Sequence, residues 1–194
     1  MSTGRLEAFS DGVIAIIITL MVFKIEAPSS LGPSGIREVL PAVLTFAMSF
    51  LYLAIYWNNH HHMFQATSTV NGAVMWANMH LLFWLSLIPV VTSWLYESSF
   101  ATWPVAAYGF VLCAAAIAYL ILQTCIVRME GCDSVLRRAI GREWKGRSSV
   151  LVYVAAVGLA FWSSWASLAI YVGVALVWLV PDSRIERAMQ SDGK

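Results

Sequence analysis

RLEAFSDGVIAIIITLMVF, residues 5–23, joins a short charged segment directly to a long apolar run. Asp11 lies at the junction and is the only acidic residue inside any long apolar segment of the sequence. A carboxylate is costly to place inside a membrane, so such a residue marks a site with a functional or structural task. We therefore expect the function to lie in the first helix.

Composition predicts the class of protein. Of the 194 residues, 59% are hydrophobic and 12% are charged, whereas soluble domains contain roughly 45–50% and about 25%. The sequence is therefore predicted to form an all-α integral membrane protein. A net charge of +1 gives no sign of a nucleic-acid partner. The three cysteines, an odd number without metal-ligand spacing, predict no disulfide framework.

Apolar stretches between charges predict the membrane spans, because each crossing needs about 20 apolar residues. We expect one domain over residues 1–194 with six spans, followed by a tail at 182–194. The stretch 148–181 is predicted to form two short helices around a turn at Trp162-Ser163-Ser164-Trp165, since tryptophan favours the membrane interface. One long helix there would give five spans instead. The six predicted spans cover about residues 5–26, 38–65, 69–96, 103–128, 147–162 and 165–181.

The distribution of Lys and Arg favours six spans over five. Cytoplasmic loops of membrane proteins are enriched in these residues. With six spans and both termini in the cytoplasm, all but Lys24 and Arg37 of the 12 Lys and Arg side chains fall on the cytoplasmic side. Most of them lie in the 128–147 loop and in the tail. Five spans would move the cations of the tail outside.

The faces of the first helix can be assigned because an α-helix turns by about 100° per residue. Asp11 lies about 140° away from Ile16 and therefore faces different neighbours. Taken alone, the stripe that contains Ile16 is typical of packing or of lipid contact. This stripe consists of Gly12, Ile16, Thr19, Leu20 and Phe23.

Polar side chains of the second and third spans lie at a predicted depth similar to that of Asp11. We expect Asp11, Ser10 and Arg5 to form an intramembrane network with a histidine of the second span and with a Trp or Asn of the third. Another interpretation, left open for the histidines, places them at the water boundary. The candidate partners are Trp57, His60, His61, Trp76, Asn78 and His80.

Catalysis and metal binding are disfavoured by the sequence. Adjacent helical residues point about 100° apart, so His60, His61 and His62 cannot converge on one ion. The sequence has neither a nucleophile elbow nor a zinc helix motif, and it offers no second membrane carboxylate to pair with Asp11. We therefore expect no enzyme, no cofactor and no resident metal. A proton-coupled transporter that uses Asp11 beside His80 or His60 remains an alternative.

A motif at the start of the first span carries a family resemblance. Arg5-x-x-x-Phe9-Ser10-Asp11, with Tyr56-Trp57 followed by His60 and His61 late in the second span, resembles the prokaryotic branch of the transmembrane protein 175 family of potassium channels. The resemblance implies a homotetramer in a bacterial plasma membrane, with a central pore that the first helix of each subunit lines. Potassium would be the permeating ion, and the resemblance implies no cofactor.

The resemblance also implies roles for residues of the first helix. Ile16 would form a hydrophobic constriction of the pore, and the rest of its stripe would face the same pathway. Phe23 departs from this pattern, since a smaller aliphatic residue is expected at the outer end. The sequence contains no Thr-Val-Gly-Tyr-Gly segment, so a filter of backbone carbonyls is not expected. The residues expected to pack inside the subunit are Arg5, Phe9, Ser10 and Asp11.

Overall fold

The computed structural model of the chain describes residues 2–67, 69–130 and 144–179, and these ranges contain helices and no strands. Seven helices lie in them: α1 Thr3–Val22, α2 Pro33–Gln65, α3 Gly72–Ser86, α4 Ile88–Glu97, α5 Thr102–Glu130, α6 Trp144–Leu159 and α7 Ser164–Leu179. The predicted tail and most of the cation-rich 128–147 loop lie outside the described residues. These undescribed positions include Cys132 and the cations Arg137, Arg138, Arg142, Arg184, Arg187 and Lys194.

Several helices are suited to a bilayer. Within the described ranges, three helical stretches are long and apolar enough to cross a membrane, namely Pro33–Gln65, Gly72–Glu97 and Thr102–Glu130, and Ser164–Leu179 is a shorter apolar helix. Apolar stretches of this length match the hydrocarbon thickness of a bilayer. The chain is therefore an integral membrane protein with an all-helical fold.

The third predicted span is divided in the structure. Residues 69–96 were expected to form one helix, but α3 ends and α4 begins on either side of Leu87. Pro89, in the first turn of α4, has no amide hydrogen, and its ring crowds the carbonyl four residues earlier. The amide of Leu87 donates to the carbonyl of Trp84 at 3.2 Å and so tightens the last turn of α3. The two helices still form one continuous apolar stretch.

A tight turn over residues 160–163 joins α6 to α7. The amide of Trp162 donates to the carbonyl of Leu159 at 2.9 Å and closes the end of α6. The hydroxyl oxygen of Ser163 accepts from the amide of Ala166 at 3.3 Å and caps α7. The described part of the chain therefore does not form the single long helix that would have given five spans.

The centre of the bundle is α5, which contacts α3, α4, α6 and α7. Its buried side chains include small and branched residues, and Leu112, Ala115, Ala118 and Leu122 are each 0% exposed. By contrast, α1 lies at the edge of the bundle and packs against α2, α3 and α4. The described residues of the chain therefore leave one face of α1 uncovered.

Close packing of α5 against α7 depends on Gly109. A Cβ atom added there would overlap the hydroxyl of Tyr171, whose buried ring packs against Tyr108 and Tyr153. Gly109→Ala is therefore expected to cost about 1–3 kcal/mol of stability, seen as a lower melting temperature of the purified protein. Gly173→Ala is the control, because an added Cβ there meets nothing within 4 Å. Equal losses in the two variants would contradict this packing argument.

Candidate functional site

One face of α1 is exposed along most of its length. Ile16 and Leu20 are 60% and 53% exposed, and Phe23, which follows the last residue of the helix, is 79% exposed. Gly12 and Thr19 are exposed as well. These are the five residues that helical periodicity assigned to one stripe. A row of large exposed apolar side chains marks a surface that lipid or another protein chain covers.

An open groove of about 850 Å³ runs beside this stripe, between α1 and α4. Ile16, Leu20 and Phe23 form one wall of the groove, and Val90 and Trp94 contribute to the other. The exposed surface of α1 therefore continues onto α4 rather than ending at the edge of the helix.

Thr19 is the polar residue of the exposed stripe. Its hydroxyl donates to the carbonyl of Ala15 at 2.8 Å, one turn earlier in α1. A threonine hydroxyl has one hydrogen and two lone pairs. Because the hydrogen is used inside the helix, what Thr19 presents on the exposed face is an acceptor oxygen.

The other face of α1 is buried against its neighbours. The buried residues are spaced by three and four positions, which places them on one side of a helix. Each is at most 4% exposed, so a rotation of α1 would bring apolar surface out of the core. These residues are Leu6, Ser10, Ile14, Ile17 and Met21.

A buried chain of hydrogen bonds ties α1 to α3 and α2. The amide of Asn78 donates to the hydroxyl oxygen of Ser10 at 2.9 Å, and the hydroxyl of Ser10 donates to the carbonyl of Leu6 at 2.9 Å. The Asn78 amide oxygen lies 2.8 Å from Nε2 of His60. Because this oxygen can only accept, Nε2 of His60 carries the hydrogen. Asn78, which both donates and accepts, is therefore the link between three helices.

Asp11 is held by a separate contact with α2. The indole nitrogen of Trp57 donates to Oδ1 of Asp11 at 2.9 Å. The Trp57 ring stacks on His61, with centroids 5.7 Å apart and planes inclined by 11°. Trp57, rather than a histidine, is therefore the partner of Asp11 on the second helix.

His61 joins the first turns of α1 to the end of α2. Its Nδ1 lies 2.7 Å from Oε1 of Glu7, and its Nε2 lies 2.8 Å from the side-chain nitrogen of Gln65. A carboxylate accepts and an amide nitrogen donates, so neutral His61 carries its hydrogen on Nδ1. Glu7 and Asp11 are thus both held against α2, one turn apart.

The structure divides the predicted network and leaves some of its members outside. Arg5 and Phe9 are exposed, and Trp76 is 79% exposed. His80 accepts from the indole of Trp84 on its own helix at 2.9 Å and does not join the Asn78 chain. Among the residues that the structure describes, no three His, Cys, Asp or Glu side chains converge on a metal position.

Glu7 and Gln65 take part in the α1–α2 contact but were not among the predicted site residues. Glu7 precedes Asp11 by four positions, and residues at this spacing lie on the same helical face. Gln65 has the same relation to His61. The spacing of four was therefore the signal that would have found both.

The apolar helices match the thickness of a bilayer and define an integral membrane protein, in which the described part of the chain buries one face of α1 and leaves the other exposed. The sequence profile of the family described as "Endosomal/lysosomal potassium channel TMEM175" matches residues 5–89. A potassium channel of Chryseobacterium sp. (strain P1-3) is 47% identical over 192 residues, which is 99% of this chain and 100% of that one. A potassium channel of Streptomyces collinus is 33% identical over 91% of each chain.

A solved structure is also similar to this chain. It is the crystal structure of a lysosomal potassium-selective channel TMEM175 homolog from Chamaesiphon minutus, with a TM-score of 0.78 and 30% identity over 93% of this chain and 97% of that one. The chain belongs to the transmembrane protein 175 family of potassium channels. The resemblance carried by the Arg5–Asp11 motif is thereby confirmed.

Proposed function

We propose that the protein is a homotetrameric potassium channel in which ions pass along the exposed stripe of α1. The proposal rests on one observation: α1 has one face that is buried against its neighbours and one face that is exposed. Because the buried face fixes the rotation of α1, the side chains on the exposed face have a fixed direction. Two bacterial relatives are named potassium channels, which supports potassium as the permeating ion.

Four copies of α1 around a central axis would cover the exposed apolar surface. The stripe would face the axis, and the groove beside Val90 and Trp94 would receive part of the neighbouring subunit. Burial of apolar surface favours such an assembly by about 25 cal/mol per Å² in contact with water, and tight packing favours it within lipid. The family resemblance supports four as the number of subunits.

Ile16 is the proposed constriction. A ring of four isoleucine side chains is apolar, and a narrow apolar ring blocks ions because water leaves it. Opening would widen this ring until a partly hydrated cation passes. Leu20 and Phe23 continue the apolar lining towards the outer end, where Phe23 contributes the largest side chain of the stripe.

Selectivity in this channel would not come from a backbone filter, because the sequence has no Thr-Val-Gly-Tyr-Gly segment. Thr19 lies about one helical turn beyond Ile16, and its hydroxyl oxygen is available as an acceptor. Four such oxygens would contact an ion that has lost part of its hydration shell near the constriction. Thr19 is therefore the proposed polar contact for potassium.

The contacts of Ser10 and Asp11 are proposed to fix the rotation of α1. Asn78 holds Ser10 from α3, and Trp57 holds Asp11 from α2. Because both contacts lie near the start of the helix, they set which residues face the axis further along it. Asp11 would thus act in packing and not in transport.

Six membrane crossings with both termini in the cytoplasm are proposed for each subunit. The crossings would be α1, α2, α3 with α4, α5, α6 and α7. α6 and α7 have 16 residues each, so they are about 24 Å long, and a bilayer thins slightly around short helices. The cation distribution supports this orientation, and the bacterial relatives support a bacterial plasma membrane.

Reconstitution of the purified full chain tests the function directly. Liposomes that contain the protein are expected to release potassium down its gradient faster than sodium, and planar bilayers are expected to show discrete single-channel currents. Mass photometry of the same preparation is expected to give four subunits. Protein-containing liposomes without potassium flux would point to a scaffold that does not conduct and would overturn the proposal.

Asp11→Asn separates the channel from a proton-coupled transporter. The amide oxygen of asparagine still accepts from Trp57, so potassium flux and assembly are expected to stay close to those of the parent, with a stability loss of about 1 kcal/mol or less. Asp11→Leu removes the acceptor and is expected to cost about 1–3 kcal/mol. Potassium flux in liposomes and the melting temperature measure both effects. If Asp11→Asn folded normally but no longer transported potassium, the result would favour the proton-coupled transporter.

A further inference from the structure

Three buried hydroxyl groups form a chain of hydrogen bonds that crosses from α5 through α2 to α4. The hydroxyl oxygen of Ser49 lies 3.0 Å from that of Tyr108 and 2.7 Å from that of Thr92. The hydroxyl of Thr92 donates to the carbonyl of Ile88 at 2.6 Å. Tyr108 and Ser49 are 0% exposed, and Thr92 is 7% exposed. We refer to Tyr108, Ser49 and Thr92 as the hydroxyl chain.

The direction of the hydroxyl chain follows from its last acceptor. A carbonyl oxygen can only accept, so the single hydroxyl hydrogen of Thr92 goes to Ile88. The hydroxyl oxygen of Thr92 therefore accepts from Ser49, and the hydroxyl oxygen of Ser49 accepts from Tyr108. All three hydroxyl hydrogens are used in this way, and α5 and α2 together hold the start of α4.

The regular helix stops at both ends of α4, which has only ten residues. Leu87 separates α4 from α3, and Pro89 in the first turn of α4 has no amide hydrogen. Beyond the other end, Ser99 and Phe100 have φ of 52° and 60°, in the left-handed region that residues other than glycine seldom adopt. Because α4 does not continue into either neighbouring helix, its side-chain contacts decide where it lies.

The position of α4 limits the movement of α1. Met21, on the buried face of α1, is 3% exposed. Together with Pro89 and Thr92 it lines a narrow pocket of about 10 Å³ between α1, α2 and α4. A pocket of this size has room for about one water molecule. The outer half of α1 therefore has no space to move towards its buried side unless α4 moves as well.

We propose that α4 is a movable wall of the channel and that the hydroxyl chain holds it in place. This inference rests on the proposed function, in which the ring of Ile16 side chains widens when the channel opens. Widening moves each α1 towards its buried side and therefore displaces α4. The hydroxyl chain opposes that displacement. Tyr108, Ser49 and Thr92 are thus positioning residues that set the balance between the closed and open states.

Thr92→Val tests the proposal because it removes the link to α4 and keeps the shape of the side chain. The hydroxyl of Ser49 then has the carbonyl of Thr45, four residues earlier in α2, as an alternative acceptor, so the variant is expected to fold. One hydrogen bond contributes about 1 kcal/mol, which predicts an open probability about fivefold higher in single-channel recording. The unitary current and the discrimination between potassium and sodium are expected to match the parent, because Ile16 and Thr19 are unchanged.

Thr45→Val is the matched control. Thr45 is 4% exposed, and its hydroxyl donates to the carbonyl of Pro41 on its own helix at 2.8 Å, so the same chemical change there removes no link between helices. Its open probability is expected to match that of the parent. In a Ser49→Ala background, Thr92→Val is expected to have no further effect, because the link is already lost. Additive effects of these two substitutions, or an equal rise in Thr45→Val, would overturn the proposal.

Hydrogen–deuterium exchange of the reconstituted full chain measures the hold on α4 independently of ion conduction. The amides of α4 are expected to exchange several-fold faster in Thr92→Val than in the parent, whereas those of α3 keep their rates. Unchanged exchange in α4 would overturn the inference, and so would an unchanged open probability in a parent that conducts. If exchange in α4 rose but the parent conducted no potassium, the proposed function would fail while the hold of the hydroxyl chain on α4 would stand.

Discussion

Replacing Ile16 with asparagine is expected to raise the potassium current at least about tenfold, the change that follows when a barrier falls by about 1.4 kcal/mol. In the proposed channel, four Ile16 side chains form the apolar ring that water leaves when it is narrow. Asparagine is of similar size but carries an amide that hydrogen-bonds to water, so the ring stays wet. The discrimination between potassium and sodium is expected to fall as well, because ions then cross with more of their hydration shell. Single-channel recording in planar bilayers measures both quantities.

Ile36→Asn is the matched control for this experiment. Ile36 is 64% exposed, close to the 60% of Ile16, but it lies near the start of α2 and not on the stripe of α1. The same chemical change there is expected to leave conductance and selectivity as in the parent. If Ile16→Asn also left them unchanged, the assignment of the pore to this face of α1 would be wrong.

Asn78→Leu is expected to lower the stability of the protein by about 2–4 kcal/mol. Asn78 is 0% exposed, donates to Ser10 and accepts from His60. Leucine fills a similar volume but offers neither group, so the Nε2 hydrogen of His60, a residue that is 1% exposed, loses its acceptor. A loss of this size corresponds to a melting temperature lower by about 10 °C for a chain of this length. Fluorescence-monitored melting of the purified protein measures it.

Two variants show whether the effect of Asn78→Leu comes from the buried link. Asn59→Leu is the control, because the side chain of Asn59 donates to the carbonyl of Ile55 on its own helix, at 2.8 Å, and the loss of this bond is expected to cost less than about 1 kcal/mol. The double variant His60→Leu/Asn78→Leu removes both buried polar partners and is expected to recover part of the stability. If His60→Leu lowered the stability of the Asn78→Leu variant by as much as it lowers that of the parent, the two effects would be additive. This result would contradict the coupling between His60 and Asn78.

Regular helical geometry explains why the exposed face of α1 was predictable. Gly12, Ile16, Thr19 and Leu20 lie within a helix of 20 residues, so their relative directions follow from the turn per residue alone. The family was predictable for a different reason, because the Arg5–Asp11 motif is contiguous in sequence. The division of the third span into α3 and α4 was predictable as well, because a proline such as Pro89 interrupts the hydrogen bonding of a helix.

The partners across helices were not predictable in the same way. Consecutive residues of α2 point in different directions, and only the depth and rotation of α2 against α1 decide which of them meets Asp11. The structure brings Trp57 to Asp11, His60 to Asn78 and His61 to Glu7. A histidine partner for Asp11 was expected because the polar residues share a depth, but depth does not determine direction.

The hydrogen bond from Thr19 to Ala15 has a consequence for the sign of the charge that the proposed channel admits. Because the hydroxyl hydrogen is committed to the helix backbone, the residue has nothing to offer a chloride ion, which needs donors. In the proposed tetramer, a cation would meet the negative ends of four hydroxyl dipoles at the same place. Rejection of anions would thus arise from the orientation of neutral groups, without a fixed negative charge at the narrowest part of the pathway.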